Sequence, residues 1–387
     1  MKYGLITFKE TENIGDDIQS YSAKRFLPKI DYYVEREELD LFVPSKKEKV
    51  ITIMNGWFLH SKINAIPSPY IYPVFISSHF SSYDSKGIST EYINDYLYEQ
   101  LHKYEPIGCR DHQSMKLLSK VGLQSYFSGC MTLTINKFKD IKKENYICMV
   151  DIDKRAEEYL EENFKEEKFI KKTHTLNRKK NEKLSWDERF ENVEKLLKTY
   201  QKAKLVVTSR LHCALPCLAL GTPVLLLYDE NKIYTKDRLS EYTKYLNHMS
   251  TEEFLVSGAE KIRNGIVNSN KYKTTRTNLE KLINDKLEQS TKTVSTKELP
   301  NLDDFNKLYV LPKRNSDSLH NVAVNKLYTE KRDYENLYYE KEYWKKEFDI
   351  LLEKYTQLRE DFEKKKEVKN KIYPFIRRKW WIKTRLK

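Results

Sequence analysis

Leu205-Val-Val-Thr208 and Val224-Leu-Leu-Leu-Tyr228 are short apolar runs with an apolar, helix-length segment between them, and no other feature constrains this chain as strongly. Apolar runs of strand length are strands covered on both faces. A helix between two of them makes a parallel β-α-β unit. In such units ligands collect at the carboxyl ends of the strands and at the N-terminus of the following helix. Ser209, Arg210, Leu211 and His212 fall at that turn. Backbone N–H groups and the helix dipole already favour an anion there. A guanidinium suited to carboxylate or phosphate, beside an imidazole that can move a proton, points to chemistry on an anionic substrate.

Ser209-Arg-Leu-His212, an apolar helix, and then Leu220-Gly-Thr-Pro-Val224 resemble the signature of the polysaccharide pyruvyl transferase family. Asn13-Ile-Gly-Asp-Asp-Ile-Gln19 resembles the family's N-terminal glycine-acid loop, and Ile107-Gly-Cys-Arg-Asp111 its central arginine motif. Asn55-Gly-Trp-Phe58, Ser78-His-Phe80 and Ser128-Gly-Cys-Met-Thr-Leu-Thr134 follow the same order, so the resemblance extends over most of residues 1–250. One departure is Cys213, a small residue where many members carry Gly. The resemblance implies transfer of pyruvate from phosphoenolpyruvate to two hydroxyls of a sugar, giving a cyclic ketal and phosphate. The donor carries two anionic groups, its carbon 3 must gain a proton, and the sugar hydroxyls must lose theirs. Arginines that neutralise the phosphate leave no electronic requirement for a metal or other cofactor.

On that basis Arg210 and His212 are the expected catalytic pair, with Ser209, Leu211 and Arg110 completing the donor site. The competing reading of the turn is a solvent-facing basic helix cap, and Arg110 has a competing local pairing with Asp111, itself a suitable helix N-cap. Asn13, Gly15, Asp16 and Asp17 occupy the first strand-to-helix turn, where Gly15 permits a tight or left-handed turn and one aspartate is expected to cap the helix. A carboxylate there repels phosphate, so this turn is assigned to the acceptor, with Asp16 first. Asn55, Trp57 and His79 sit at predicted strand ends and join the acceptor set, Trp57 as a stacking surface for a sugar. A core tryptophan and a structural histidine are the plainer alternatives. His174, like His79, ends a predicted strand that opens onto the cleft, with a structural hydrogen-bonding role as the alternative; Asp151, Asp153 and Asp229 also end predicted strands, but spacing does not separate them from turn residues.

Residues 1–135 read as one Rossmann-like domain, with strands at Tyr3–Phe8, Val50–Met54, Val74–Ser77 and Pro106–Cys109, and Ser125–Ser128 closing the sheet. Helices are expected at Asp16–Phe26, Thr90–Lys103 and Asp111–Val121. After a lysine-rich linker, residues 146–267 form a second such domain, giving an α/β fold of two Rossmann-like domains in a GT-B-like arrangement. Residues 268–317 read as a polar helix and loose connector. In 318–370 a heptad follows: Leu337, Trp344, Leu351 and Leu358 interleave with Tyr334, Lys341, Phe348, Tyr355 and Phe362. That pattern predicts a C-terminal coiled-coil helix over 334–362 and hence a homo-oligomer, against an amphipathic helix lying on the body.

Net charge is +13, of which +7 falls in residues 371–387 with no acidic residue. The basic balance is therefore a tail property, and nucleic acid is not the expected partner of the globular part. Tyr373, Phe375, Trp380 and Trp381 among those cations suggest contact with an anionic membrane surface. No apolar run reaches 18 residues, the N-terminus enters a strand directly, and five cysteines show no framework spacing. These features together predict a cytoplasmic enzyme, peripheral at most at the inner membrane face. Two other readings remain open at this stage: a nucleotide-sugar glycosyltransferase of the same architecture, and a non-catalytic scaffold that recruits partners to a membrane.

Overall fold

A computed structural model describes residues 1–59, 67–81, 95–229, 239–294, 301–306 and 356–357. Residues 1–309 form one unit. Of the second, 310–387, only Thr356 and Gln357 are described, helical and exposed. The heptad and the basic aromatic tail otherwise lie outside the described residues.

The chain opens with strand β1 (Lys2–Thr7), helix α1 (Ile14–Lys24), β2 (Tyr32–Glu35), β3 (Val50–Ile53), β4 (Trp57–Phe58), β5 (Ile71–Val74) and β6 (His79–Phe80). It continues through α2 (Asp95–His102), β7 (Ile107–Cys109), α3 (His112–Lys120) and β8 (Ser125–Phe127). β1, β2, β3 and β5 form a parallel sheet in the order β2-β1-β3-β5. Central strands β1 and β3 carry the aliphatic runs that bury both faces: Leu5, Ile6, Ile51 and Ile53 are all inaccessible to solvent. β8 does not close this sheet; it pairs with β7 in a separate two-stranded ribbon. That ribbon is fastened to the chain after β5 by Gly108 N–H to Phe75 O (3.0 Å) and Arg110 N–H to Ser78 O (2.9 Å).

The second half runs β9 (Ile147–Val150), α4 (Lys154–Asn163), β10 (Phe169–Lys172), α5 (Arg178–Asn181), α6 (Trp186–Lys202), β11 (Leu205–Thr208), α7 (Leu211–Leu220), β12 (Val224–Tyr228) and β13 (Asn247–Ser250). These five strands make a parallel sheet in the order β10-β9-β11-β12-β13. α6 opens on a capping box, Ser185 with Glu188, and α7 ends on Gly221 in the left-handed region (φ 70°). In both sheets the chain runs outward in opposite directions from one pair of neighbouring strands, β1/β3 in the first and β9/β11 in the second. Open parallel sheets bind ligands at such a switch point, beyond the carboxyl ends of the strands.

The two halves are held together beside those ends. Ile14 N–H donates to His174 O (2.9 Å) and Leu176 N–H to Glu12 O (2.7 Å), an antiparallel bridge centred on Asn13 and Thr175. Ile14 and Ile18 of α1 enter the same apolar core as Cys148, Val150, Val206 and α7. The segment read as a polar appendage also contributes to the body. Helix Tyr272–Thr293 buries Leu279, Ile283 and Leu287 against Leu5, Ile51, Ile53 and Val74 of the first sheet. A stripe at a spacing of four is enough to cover one sheet face while the rest of the helix stays polar.

Candidate active site

A cavity of about 690 Å³ lies at the carboxyl ends of both sheets. Its walls come from the turn before α1, the strand after β3, the end of β7, the β9–α4 turn, the β11–α7 turn and the start of the helix Thr251–Arg263. Such a volume falls in the range of small-molecule sites.

The floor is the β11–α7 turn. Arg210 is the N-cap residue of α7, and its side chain makes no capping bond. The first intrahelical bond is Cys213 N–H to Arg210 O (3.0 Å), so the N–H groups of Leu211 and His212 precede it at the helix mouth. Ser209, Arg210, Leu211 and His212 all line the cavity. Ser209 Oγ donates to Asp151 O, and Arg210 N–H to Thr208 Oγ1 (3.0 Å), which fixes the turn. Cys213, where many relatives of the resembled family carry Gly, is fully buried and off the cavity wall. The departure therefore leaves the ligand surface untouched.

Arg110 reaches the cavity from the first half, after β7. It is only 2% exposed. Its Nη1 donates to Gln19 Oε1, and its Nε lies 3.8 Å from Asp111 Oδ2, without a hydrogen-bond partner among the described residues. Asp111 does cap α3, accepting from Ser114 N–H (2.9 Å), and it also holds His79 Nδ1 at 2.6 Å. Burial pushes the Asp111 carboxyl up, but His79 and Arg110 outweigh it and hold the group well below the ordinary carboxylate range. Arg110 and Arg210 thus converge on one cavity from different sheets, one fixed by burial and one more exposed.

The first turn divides its work. Asn13 and Asp16 line the cavity; Gly15 and Asp17 do not. The helix cap is Asn13 rather than an aspartate, its Oδ1 accepting from Gly15 N–H (3.0 Å). Asp16 accepts from Thr11 Oγ1 (2.6 Å) and Gln19 Nε2 (3.2 Å), which aims its carboxylate. Asp17 is turned away into a buried ion pair with Arg189 of α6 (Nη2–Oδ1 2.5 Å, Nε–Oδ2 3.0 Å), and burial pushes its carboxyl up to about 6. Gly15 is helical, not left-handed. The close approach of Asn13 and His212 is what favours glycine instead, since an added Cβ would lie 3.0 Å from Asn13 Oδ1 and 3.2 Å from both Cβ and Nδ1 of His212.

Trp57 lines the cavity, with the His79 ring behind it at 6.2 Å between centroids. His79 and Asn55 are buried off the wall, Asn55 donating through Nδ2 to Gln19 O (2.9 Å). The cavity also gathers residues that the sequence left unassigned: Asp151, Asp153, Arg155, His174, Asp229 and Glu252. Arg155 is shared between Asp153 (3.1 Å) and Glu252 (2.9 Å). His174 is buried, with Nε2 2.9 Å from Tyr200 Oη.

Fold and site together define an α/β protein of two parallel sheets with a charged cavity at their carboxyl edges, where Arg110, Arg155 and Arg210 face the carboxylates of Asp16, Asp151, Asp153, Asp229 and Glu252. A model of the family "Polysaccharide pyruvyl transferase" matches residues 13–231, more than half of the chain, and the chain belongs to that family. Its members are transferases acting on polysaccharides. No curated protein matches the chain. Among solved structures it is similar to an uncharacterised protein of Klebsiella pneumoniae (13% identity, 64% of this chain and 92% of that one covered, TM-score 0.40). It is similar also to a UDP-GlcNAc 2-epimerase of Methanocaldococcus jannaschii solved with UDP-GlcNAc and UDP (14%, 76% and 100% covered, 0.40). A third is MnaA of S. aureus, solved with UDP (12%, 78% and 99% covered, 0.41). Among the described residues no helix is long and apolar enough to cross a membrane.

Proposed function

We propose that this chain transfers pyruvate from phosphoenolpyruvate to a hydroxyl pair of a cell-surface polysaccharide or its lipid-linked precursor, forming a cyclic ketal, on a GT-B-like frame of two Rossmann-like domains. The observation that carries the reading is the convergence of Arg110, Arg210 and the open mouth of α7 on one cavity. The donor's phosphate and carboxylate need that many cationic and N–H positions. Arg210 and the Leu211–His212 N–H groups take one anionic group and Arg110 the other. His212 delivers the proton that carbon 3 gains as carbon 2 becomes electrophilic. Two acceptor oxygens then bond to carbon 2, and the C2–O bond to phosphate breaks. Of the two hydroxyl protons, one balances the proton added at carbon 3 and one leaves on phosphate. Asp16, Asn13 and Trp57 receive the sugar, with Asn55, Asp17, Gly15 and His79 supporting them from behind. Arginine charge meets the phosphate charge, so the reading invokes no cofactor beyond the co-substrate. Self-association through 334–362 and membrane contact through 371–387 belong to the same proposal on sequence grounds alone.

Thermal melting with phosphoenolpyruvate and, in parallel, nucleotide sugars tests it. At a ligand concentration of 100 Kd, binding adds about 2.7 kcal/mol. A rise in melting temperature with phosphoenolpyruvate that is lost in Arg210→Ala is the expected result. A rise with a nucleotide sugar alone overturns the reading in favour of glycosyl transfer.

A further inference from the structure

The geometry points to Asp151 as the positioning residue that aims Arg210 at the donor, an inference that rests on the donor reading above. Asp151 follows β9 directly and Arg210 follows β11, the two strands that flank the switch point of the second sheet. Asp151 Oδ2 accepts from Arg210 Nε (2.8 Å) and from His174 N–H (2.9 Å). Its backbone O accepts from Ser209 Oγ, so one residue grips the turn by side chain and main chain together. The grip falls on the Nε edge of the guanidinium. Nη1 and Nη2 have no protein partner among the described residues, and they are the edge left for an anion in the cavity.

Backbone strain supports the assignment. Asp151 has φ 49°, in the left-handed region that non-glycine residues seldom adopt. Such conformations persist where the surroundings enforce them, commonly at functional sites. Here the His174 N–H bond helps to hold it, and the result is a carboxylate turned across the end of the neighbouring strand. Burial pushes the Asp151 carboxyl up, but bonds from Thr173, His174 and Arg210 outweigh it, and the group sits below its ordinary value. It is therefore ionised throughout the neutral range.

A plain counter-ion and an aiming residue have opposite consequences, which makes the role testable. A counter-ion competes with the donor, so its removal tightens donor binding. An aiming residue fixes a side chain that is 44% exposed and otherwise free to choose among rotamers, so its removal weakens binding. Calorimetric titration with phosphoenolpyruvate, on the full chain, compares wild type, Asp151→Ala and Asp151→Asn beside the melting temperature of each unliganded protein. Asp151→Ala is expected to raise the donor Kd tenfold or more. Asp151→Asn keeps an acceptor oxygen for Arg210 and His174 and is expected to fall between the two. Wild-type affinity in Asp151→Ala, or tighter binding than wild type in either variant, overturns the assignment while leaving the donor reading intact. If Asp151→Ala does not fold, the sign of the change in Asp151→Asn decides alone. Wild type that binds no phosphoenolpyruvate overturns the donor reading and this inference with it.

Discussion

Gly15→Ala separates stability from function at this site. The residue is helical and buried, so alanine is conformationally allowed and gains roughly 0.8–1 kcal/mol of helix propensity. The added methyl, however, would stand 3.0 Å from Asn13 Oδ1 and 3.2 Å from His212 Cβ and Nδ1. Carbon contacts are most favourable at about 3.5–4.0 Å, so the His212 ring must retreat by roughly 0.3–0.8 Å. Overpacking of this kind costs about 1–3 kcal/mol, leaving a net loss of stability of about 2 kcal/mol at most. Function is more sensitive, because a misplacement of about 1 Å in a site group can cost on the order of 100-fold. A shift of about half that distance corresponds to roughly tenfold in donor affinity, about 1.4 kcal/mol. Calorimetric titration with phosphoenolpyruvate reads this directly. Gly122→Ala is the control: Gly122 has φ 82° with no heavy atom within 4 Å of an added methyl. Alanine there costs about 1–2 kcal/mol through backbone strain and should leave donor affinity unchanged. Wild-type affinity in Gly15→Ala would show that the approach of this loop to His212 does not govern the site.

Asp17→Ala leaves Arg189 buried without its counter-ion and should cost about 3–5 kcal/mol in urea unfolding, partly recovered by adding Arg189→Met; a loss under about 1 kcal/mol would show the pair to be dispensable. Glu35, at the end of β2, is pushed up to about 7 by burial. Because its folded value exceeds its unfolded value of 4.5, the stability it contributes is complete below that value and is lost as pH rises through about 7, by up to about 3 kcal/mol. Glu35→Gln should flatten the unfolding free energy across that window, and an unchanged pH profile in the variant would exclude the residue as its source.

What the sequence made legible follows from how local each signal is. β1, β3, β9, β11 and β12 announce themselves because strands buried on both faces carry unbroken aliphatic runs. The strand expected at Val74–Ser77 lies instead at Ile71–Val74. Pro73 reads as a breaker, yet β5 is an edge strand, where a missing N–H is tolerated. β13 (Asn-His-Met-Ser) sits at the edge of its sheet with a polar sequence and gives no apolar run to find. In the site, Ser209–His212 was readable because strand, turn and helix are contiguous there. Asp151, His174 and Gln19 were not, since each acts on a residue that only the fold brings near. Gln19 is the clearest case: three residues beyond Asp16 on one helix face, it reads as an ordinary surface pair, yet it touches Arg110, Asn55 and Asp16.

These contacts change what the Asn13–Gln19 segment is for. Read as a sequence it is an acceptor turn, with Asn13, Gly15, Asp16 and Asp17 as candidate contacts and one of the aspartates expected to cap the helix. In the fold its residues face different partners: Asn13 and Asp16 the cavity, Gly15 the His212 ring, Asp17 Arg189, and Gln19 Arg110. The segment is itself hydrogen-bonded to the chain after β10, through the two faces of His174: its carbonyl takes Ile14 N–H and its N–H goes to the Asp151 carboxylate. One short path therefore runs from the first turn of α1 through His174 and Asp151 to Arg210, built of main-chain bonds and one carboxylate. In that arrangement the two arginines are placed by the same helix, Arg110 through Gln19 and Arg210 through Ile14, His174 and Asp151. On the proposed reading, the two arginines are thereby set at a fixed spacing beside the turn assigned to the sugar, as a reaction needs when two hydroxyls and a small anion must meet at one carbon.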